Sequence, residues 1–387
     1  MKILYSIGTK FAGGGIGNIA HHAVQGLYRQ SMLQRLLCGA YVPSDIPATR
    51  IRALGWPDRV LRKLATYDRR RWLWQVQNVL FDHWAAHYLE YADLLHVWGG
   101  YGLHTLKEAR RRGMITVVER ASTHPRYQAR LLNREYARWG LSWSVPECVV
   151  HRAVTEFAAA DYILIPSDFV RQTFLAEGVA EDRLLLQHFG VDHRRFISTP
   201  AGDTNHPFRV LFVGQISIRK GVLYLLEAWR QLGWQDAELW LVGLVEPGVQ
   251  PVLRRYAGLP GIHWSGHMPD PAVCYQSADL FAFPSLEEGS ALVTYEAMAA
   301  GLPVVTTPNA GSVVRDGQEG LLVPIQDSTA LATALEQLRA APKRRRAMGR
   351  AARQRAAALN WEAYGDAIAG VLGQLISIKP HETTHLL

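Results

Sequence analysis

Short apolar runs alternate with stretches of helical length along most of the chain, and no other feature constrains the fold as strongly. Runs such as KILYSI, MITVVE and DYILIP in the first half, and FRVLFVG, AELWLVG and DLFAFPS in the second, have the length of buried strands. The stretches between them that are long enough for helices include residues 17–30, 73–91, 167–177, 221–232 and 291–300. A strand–helix repeat of this kind predicts parallel sheets with helices on both faces.

The repeat is interrupted once, at residues 197–207. This segment, ISTPAGDTNHP, is polar and rich in Pro and Gly, and a new strand begins at Phe208. A chain of 387 residues is long enough for two domains, each with its own core. We therefore predict two doubly wound, Rossmann-like α/β domains that face each other across a cleft. They comprise residues 1–196 and 208–358, and residues 359–387 form a C-terminal helix that packs back on the first domain.

The net charge and the spacing of the cysteines limit the classes of protein to which this chain can belong. A formal net charge of +8 favours anionic partners, although cations spread along a chain are equally typical of a solvated basic surface. Cys38, Cys148 and Cys274 form no CxxC pair, which argues against a zinc knuckle and fits a reducing compartment. No run approaches the roughly 20 apolar residues of a membrane-spanning helix. We expect a cytoplasmic protein and leave contact with the inner face of the membrane open.

A glycine-rich turn follows the first predicted strand. Gly15, Gly17 and Ala20 satisfy the GxGxxA pattern of dinucleotide-binding folds, but the acid expected about twenty residues later is missing from LLCGAYVP. The turn could bind a dinucleotide, could simply connect strand and helix, or could line the interdomain cleft together with Gly14. We favour the cleft.

The sequence HETTH at residues 381–385 matches the HExxH pattern of zinc proteases by letter. That chemistry needs both histidines on one face of a stable helix and a third ligand elsewhere. Pro380 directly precedes the motif and only two residues follow it, so we do not expect a metalloprotease.

Two loops follow predicted strands and carry residues suited to a ligand site. His124 lies in ERASTHP, after the strand MITVV, where site residues of parallel sheets gather. Arg219 and Lys220 lie in VGQISIRKG, just before a predicted helix. A cation at a helix N-terminus opposes the helix dipole unless an anion lies between them. The second loop is therefore either a phosphate site or a solvated basic turn.

The stretch SLEEGSALVTYEAMAAG places acids in a loop and at the start of a helix. Glu288 falls in the loop, Glu296 falls within the first two helical turns, and Glu287 is expected to point elsewhere. Backbone amides at the helix start are predicted to face the same cleft; they belong to Gly289, Ser290, Ala291 and Leu292. Amides suit a phosphate and carboxylates suit hydroxyl groups. This combination is typical of a site for a sugar joined to a nucleoside diphosphate.

Taken together, these blocks resemble the retaining GT-B glycosyltransferases of family four, the glycosyl transferases group 1. The resemblance is strongest from about residue 160 to 340; it rests on PSDFVRQTFLAEGV, LLLQHFGVDHRRF, VGQISIRKGVLYLLEAW, SADLFAFPSLEEGSALVTYEAMAAGLPVVTT and GQEGLLVP in consecutive order. Glu288 and Glu296 form the E-x7-E signature of that family. The resemblance implies a UDP- or GDP-linked sugar donor held by the second domain. It also implies an acceptor held by the first, which would be a glycan, a lipid-linked molecule or a small molecule.

The resemblance also implies roles for individual residues. Glu296 would hold the donor ribose, Glu288 and the amides after it the transferred sugar, and Lys220 the diphosphate. His124 would contact the sugar from the first domain. Gln215 stands where the family often has Arg, so Arg219 is a candidate replacement.

The implied activity is that of a retaining hexosyltransferase in bacterial polysaccharide or glycoconjugate synthesis. No Asp-x-Asp occurs in the chain, which agrees with metal-independent chemistry, and neither a cofactor nor a nucleic-acid partner is expected. Three alternatives remain at this point. They are a nucleotide-sugar epimerase on the same fold, an NAD(P)-dependent dehydrogenase that uses the glycine turn, and a non-catalytic nucleotide-sugar-binding module.

Overall fold

The computed structural model describes residues 1–65, 72–196 and 206–378. Most of the predicted interdomain segment 197–207 and all of HETTH lie outside the described residues. The first sheet contains β1 (Ile3–Phe11), β2 (Leu33–Tyr41), β3 (Ile51–Ala53), β4 (Leu94–Trp98), β5 (Ile115–Glu119), β6 (Tyr162–Ile165) and β7 (Leu184–Leu186). These strands are parallel and lie in the order β3-β2-β1-β4-β5-β6-β7.

Helices cover both faces of this sheet. They are α1 (Ile16–Arg29), α2 (Trp56–Ala65), α3 (Trp72–His87), α4 (Leu103–Arg111), α5 (Pro125–Arg138), α6 (Glu147–Ala159) and α7 (Asp168–Leu175). Successive residues of β1 point to opposite faces: Tyr5 packs in the cluster that includes α1, whereas Leu4 packs with Leu106 of α4 and Phe174 of α7. Because both faces are covered, the strand reads as a continuous apolar run.

The second sheet contains β8 (Phe208–Val213), β9 (Ala237–Val242), β10 (Ile262–Gly266), β11 (Leu280–Phe283), β12 (Val304–Thr306) and β13 (Gly320–Leu322). They are parallel in the order β10-β9-β8-β11-β12-β13. The helices of this half are α8 (Val222–Leu232), α9 (Gln250–Leu253), α10 (Ala272–Gln276), α11 (Leu292–Ala299), α12 (Ser328–Ala340) and α13 (Pro342–Ala358). Single 3-10 turns lie at Ala48–Arg50, Glu181–Arg183, His193–Phe196, Pro247–Val249, Arg254–Tyr256 and Pro308–Ala310. The prediction of two doubly wound parallel sheets is confirmed.

The final helix, α14 (Trp361–Ile378), lies against α1 of the first half. The Ala363 N–H donates to Asn360 Oδ1 at 2.9 Å, so Asn360 is the N-cap of this helix. The two helices approach so closely that a Cβ on Gly26 would lie 2.0 Å from the Gly365 carbonyl oxygen. The Tyr364 hydroxyl reaches the first sheet and donates to Glu119 Oε1 at 3.3 Å. The end of the described chain thus contributes to the core of the first half.

Strand order reverses at one point in each sheet, and this positions the site. In the first sheet the reversal lies between β1 and β4, and in the second it lies between β8 and β11. The loops that leave β1 and β8 at these points are the glycine turn and residues 214–221. Ligands of open parallel sheets bind at the carboxyl ends of the strands beside such reversals. Of the helices described, none is both long enough and apolar enough to cross a membrane.

Candidate functional site

Two loops meet at the carboxyl ends of β8 and β11. The Leu286 N–H donates to the Arg219 carbonyl oxygen at 2.9 Å, and Ser285 Oγ donates to the same oxygen at 3.2 Å. Gly221 has φ +73°, and a Cβ there would lie 1.8 Å from the Pro284 carbonyl oxygen. Only glycine allows this approach without strain. The turn that carries Arg219 is therefore fixed to the loop that carries the acids.

Lys220 and Glu288 form an ion pair between these loops. Lys220 Nζ contacts Glu288 Oε1, and Arg219 Nη2 lies 3.6 Å from Glu288 Oε2. Burial, together with the charge of Arg219, lowers the pKa of Lys220 to about 7. The structure thus brings together three of the residues that the sequence predicted for one site, and it places two cations beside one carboxylate.

Glu287 does not point away from this cluster, and the prediction that it would do so is wrong. Its side chain is fully buried and accepts hydrogen bonds from Ser122 Oγ at 2.7 Å and Thr123 Oγ1 at 2.6 Å. Gln128 Nε2 donates to it at 2.8 Å, and Arg219 Nε lies 2.7 Å from Oε2. Burial acts to raise its pKa, but Arg219 and the hydrogen bonds outweigh burial and lower the pKa to about 2.

Glu287 was missed because its partners come from the other half of the chain. Ser122 and Thr123 lie 164 or 165 residues away, in the loop that follows β5. The adjacent hydroxyl side chains in ERASTHP were the only indication of such a partner in the sequence. No local pattern pairs them with residue 287.

The amides that follow Glu288 are only partly available to a ligand. The Ala291 N–H donates to the Ala310 carbonyl oxygen at 3.0 Å, so the predicted use of this amide for a phosphate is wrong. The chain segment at Ala310 packs against this loop and accepts the hydrogen bond. The periodicity of the sequence cannot reveal such a contact. Ser290 is buried, and its Oγ donates to the Gly311 carbonyl oxygen at 2.9 Å. At Gly289 a Cβ would lie 2.0 Å from the Ala121 carbonyl oxygen, so this glycine permits contact between the two halves.

Glu296 lies in the second turn of α11 and faces a separate part of the cleft. It accepts a hydrogen bond from the Tyr275 hydroxyl at 2.8 Å, and burial raises its pKa. With Leu292 it lines a cavity of about 540 Å³ that also receives Asn18 and His22 from α1. The other lining residues are Gly190, Val191, Asp192, His193, Arg194, Arg195, Phe196, Asn360, Trp361 and Glu362. Among the described residues that line this cavity, neither Lys220 nor Glu288 occurs.

The glycine turn after β1 divides into two parts. Gly17 is needed for packing, because a Cβ there would lie 2.1 Å from the Lys10 carbonyl oxygen. Gly14 and Gly15 have open space where a side chain would be, and Gly15 has φ +62° at the start of α1. A role for Gly14 and Gly15 in the cleft stays a prediction.

His124 begins α5 as its N-cap. Its Nδ1 accepts from the Arg126 N–H at 3.3 Å, and its ring packs edge-on against Phe174 with centroids 5.0 Å apart. The side chain is only 3% exposed, and burial lowers its pKa to about 4. The imidazole is therefore neutral near pH 7. Its contact with a sugar remains a prediction, as does a substrate contact by Gln215, which is exposed directly after β8.

A second contact between the halves was also missed. Glu135 of α5 is almost fully buried and accepts a hydrogen bond from Trp139 Nε1 at 2.9 Å. From the other half, the Tyr224 hydroxyl and Gln326 Nε2 donate to the same carboxylate. No sequence signal links these positions, because they lie 89 and 191 residues from Glu135.

Comparison with known proteins agrees with this arrangement. Residues 207–340 match the family described as glycosyl transferases group 1. WcaL of Salmonella typhimurium, named for colanic acid biosynthesis, is 29% identical over 193 residues, which are 46% of this chain and 48% of that protein. A D-inositol 3-phosphate glycosyltransferase of Paenarthrobacter aurescens is 32% identical over 215 residues, 50% of this chain and 52% of that protein. The chain spans about half the length of the curated relatives it matches.

The fold is shared over nearly the whole chain. A structure of Anabaena Alr3699/HepE in complex with UDP has a TM-score of 0.67 and 18% identity, and the comparison covers 97% of this chain and all of that one. At this identity the likeness concerns the fold alone, and that fold is GT-B. The second half thus resembles the glycosyl transferases group 1 family over residues 207–340, and the GT-B architecture of the whole chain agrees with this resemblance.

Proposed function

We propose that this protein is a retaining glycosyltransferase that moves a hexose from a UDP- or GDP-linked donor to a hydroxyl group of an acceptor. The observation that carries the proposal is the cluster of Arg219, Lys220 and Glu288 at the carboxyl ends of β8 and β11. The cations suit a diphosphate, and Glu288 suits the hydroxyl groups of a sugar beside it. The UDP bound to the Anabaena protein of the same fold supports a nucleotide donor.

The two cations also support chemistry without a metal ion. As the sugar–phosphate bond breaks, negative charge grows on the departing diphosphate. Positively charged groups that are already in position stabilise this charge, and they need no reorganisation at the moment of reaction. Lys220 now contacts Glu288, so a donor diphosphate would compete with that carboxylate for the ammonium group. No cofactor is required for this reaction.

Retention is proposed to follow from attack on the face that the diphosphate leaves. The acceptor oxygen forms a bond to the anomeric carbon while the bond from that carbon to the phosphate oxygen breaks. The departing phosphate oxygen takes the acceptor proton. Glu287 and Glu288 are both engaged by cations, which supports this route over one with a carboxylate nucleophile.

We place the acceptor against the first half of the chain and the reaction in bacterial polysaccharide or glycoconjugate synthesis. The name of WcaL supports such a setting. In this proposal the enzyme is cytoplasmic and touches the inner face of the membrane through α2. That helix, WPDRVLRKLA, is basic and exposes Trp56, Val60 and Leu64 at four-residue spacing, with exposed fractions of 76%, 47% and 50%.

Membrane contact is tested by sedimentation with vesicles of anionic or neutral lipid. We expect binding to the anionic vesicles alone and its loss in Trp56→Ser. Trp264→Ser is the matched control, because Trp264 is 42% exposed but lies in β10 of the other half. Equal binding to both kinds of vesicle, or binding unchanged in Trp56→Ser, would contradict the contact.

The activity is tested in two steps. A thermal-shift screen of UDP-, GDP-, ADP- and dTDP-sugars finds the donor, because selective binding raises apparent stability. Release of nucleoside diphosphate is then measured with and without candidate acceptors, and NMR reports the anomeric configuration of the product. We expect release that depends on acceptor, retained configuration and full activity in excess EDTA. Release or epimerisation without acceptor would favour the epimerase, donor binding without turnover would favour a binding module, and loss of activity in EDTA would contradict the metal-independent mechanism.

A further inference from the structure

Glu287 connects the two halves of the molecule through one buried carboxylate. On one side it accepts hydrogen bonds from Ser122, Thr123 and Gln128, all of the first half. On the other side it pairs with Arg219, and its own carbonyl oxygen accepts from Arg219 Nε at 3.1 Å. The first half therefore holds the Glu287 side chain in place, and Glu287 in turn holds the Arg219 guanidinium.

We propose that Glu287 is a positioning residue that orients Arg219 toward the donor diphosphate when the two halves are in contact. This inference rests on the proposed function and extends it to a residue outside the E-x7-E pair. Its consequence is that donor binding and contact between the halves are coupled through Arg219. A donor would meet a correctly oriented guanidinium only while the loop after β5 holds the Glu287 side chain.

The charge of Glu287 is essential to this role. A glutamine of the same shape could still accept from Ser122 and Thr123 through its oxygen. Its amide group could not balance the Arg219 charge, and its N–H groups would face donors instead of acceptors. Glu287→Gln is thus expected to leave the backbone fold in place while releasing the guanidinium.

Two other buried acids provide matched controls. Glu135 also joins the halves but contacts Tyr224 and Gln326 instead of Arg219. Glu319 is fully buried and paired with an arginine, Arg315, yet both lie within the second half. Glu135→Gln therefore tests contact between the halves alone, and Glu319→Gln tests the loss of a buried carboxylate that is paired with an arginine of its own half.

The experiment measures binding of the free nucleoside diphosphate by calorimetry in a double-mutant cycle. We expect Glu287→Gln to weaken binding about tenfold, which is about 1.4 kcal/mol. In an Arg219→Gln background the same change should have almost no further effect, because the group it positions is gone. Glu135→Gln and Glu319→Gln should each change binding less than threefold. Additive losses in the cycle, or an equal loss in Glu135→Gln, would overturn the role of Glu287 as a positioning residue.

A second readout does not depend on a ligand. The Thr123 N–H donates to Glu287 Oε1 at 3.1 Å, so hydrogen exchange at Thr123 should accelerate in unliganded Glu287→Ala, which removes the acceptor that a glutamine would keep. Unchanged exchange would overturn the inference even if no donor were known. Failure of the wild-type protein to bind or turn over any nucleotide sugar would instead reject the proposed function. If Glu287→Gln does not fold, Thr123→Val removes one donor to the carboxylate and should weaken binding in the same direction; unchanged binding in that variant would count against the proposal.

Discussion

The two sides of the cleft contribute different chemistry. The second half presents charged groups, namely Arg219, Lys220, Glu287 and Glu288, and these pair with one another. At this contact the first half presents the neutral hydroxyl and amide donors of residues 122–128. Separating a buried ion pair leaves an uncompensated charge, which costs about 3–5 kcal/mol, whereas each hydrogen bond to a charged group contributes about 1.5–3 kcal/mol. Breaking the contact between the halves at this point would remove the hydrogen bonds to Glu287 and leave its ion pair with Arg219 in place.

The similarity to known proteins also differs between the two halves of the chain. The family match covers residues 207–340, where the charged cluster lies, whereas the first half shares its fold with the Anabaena protein at low identity. This difference agrees with a donor site in the second half and an acceptor site in the first. Donor chemistry restricts residue types strongly, because a diphosphate needs cations whatever the acceptor is.

The largest expected effect comes from removing a cation on the charged side. Lys220→Ala should lower kcat by about 10²–10³-fold, because a contact that strengthens as the diphosphate leaves is lost. Steady-state kinetics check this, with Lys107→Ala as a control at an exposed lysine of α4. Near-normal kcat in Lys220→Ala would mean that the basic turn is only solvated and that the charged side is not the donor site.

A smaller effect should separate the two acids of the E-x7-E pair, of which only Glu296 lines the cavity of about 540 Å³. Glu296→Gln should weaken binding of the free nucleoside diphosphate by about 1.5–3 kcal/mol, because a charged acceptor for the ribose is lost. Glu288→Gln should lower kcat, because it acts beside the reacting carbon. It should not weaken binding of the diphosphate, because the carboxylate that competes for Lys220 loses its charge. Calorimetry and kinetics on both variants decide this. Loss of nucleotide binding in Glu288→Gln would show that the two roles are wrongly assigned.

The smallest expected effect is the uptake of protons when the diphosphate binds. Because the pKa of Lys220 is lowered to about 7, much of the free protein lacks this charge at pH 8. A bound diphosphate raises the pKa, so the complex holds more protons and binding at pH 8 takes up protons. Calorimetry in two buffers of different ionisation enthalpy measures the uptake. Lys220→Arg should abolish the uptake, since arginine stays charged. A binding enthalpy independent of buffer in the wild type would contradict the lowered pKa.

The sequence alone determined the architecture and the position of the charged loop. Alternating apolar runs and helical stretches are local patterns, and they led to two parallel sheets with helices on both faces. The placement of Lys220 and Glu288 also followed locally, because a residue just after a parallel strand lies at the carboxyl edge of its sheet. Asn360 as a helix cap is a third local feature, since the capping bond spans only three residues.

Only the tertiary structure decided the remaining features. The direction of Glu287 depends on Ser122 and Thr123, and the loss of the Ala291 amide depends on Ala310. The cavity beside Glu296 depends on how α1 and the chain around residues 190–196 pack against α11. Each of these features joins segments that lie far apart in the chain. Local spacing indicates the face and the strand end on which a side chain lies, but its partner is set only by the packing of one half against the other.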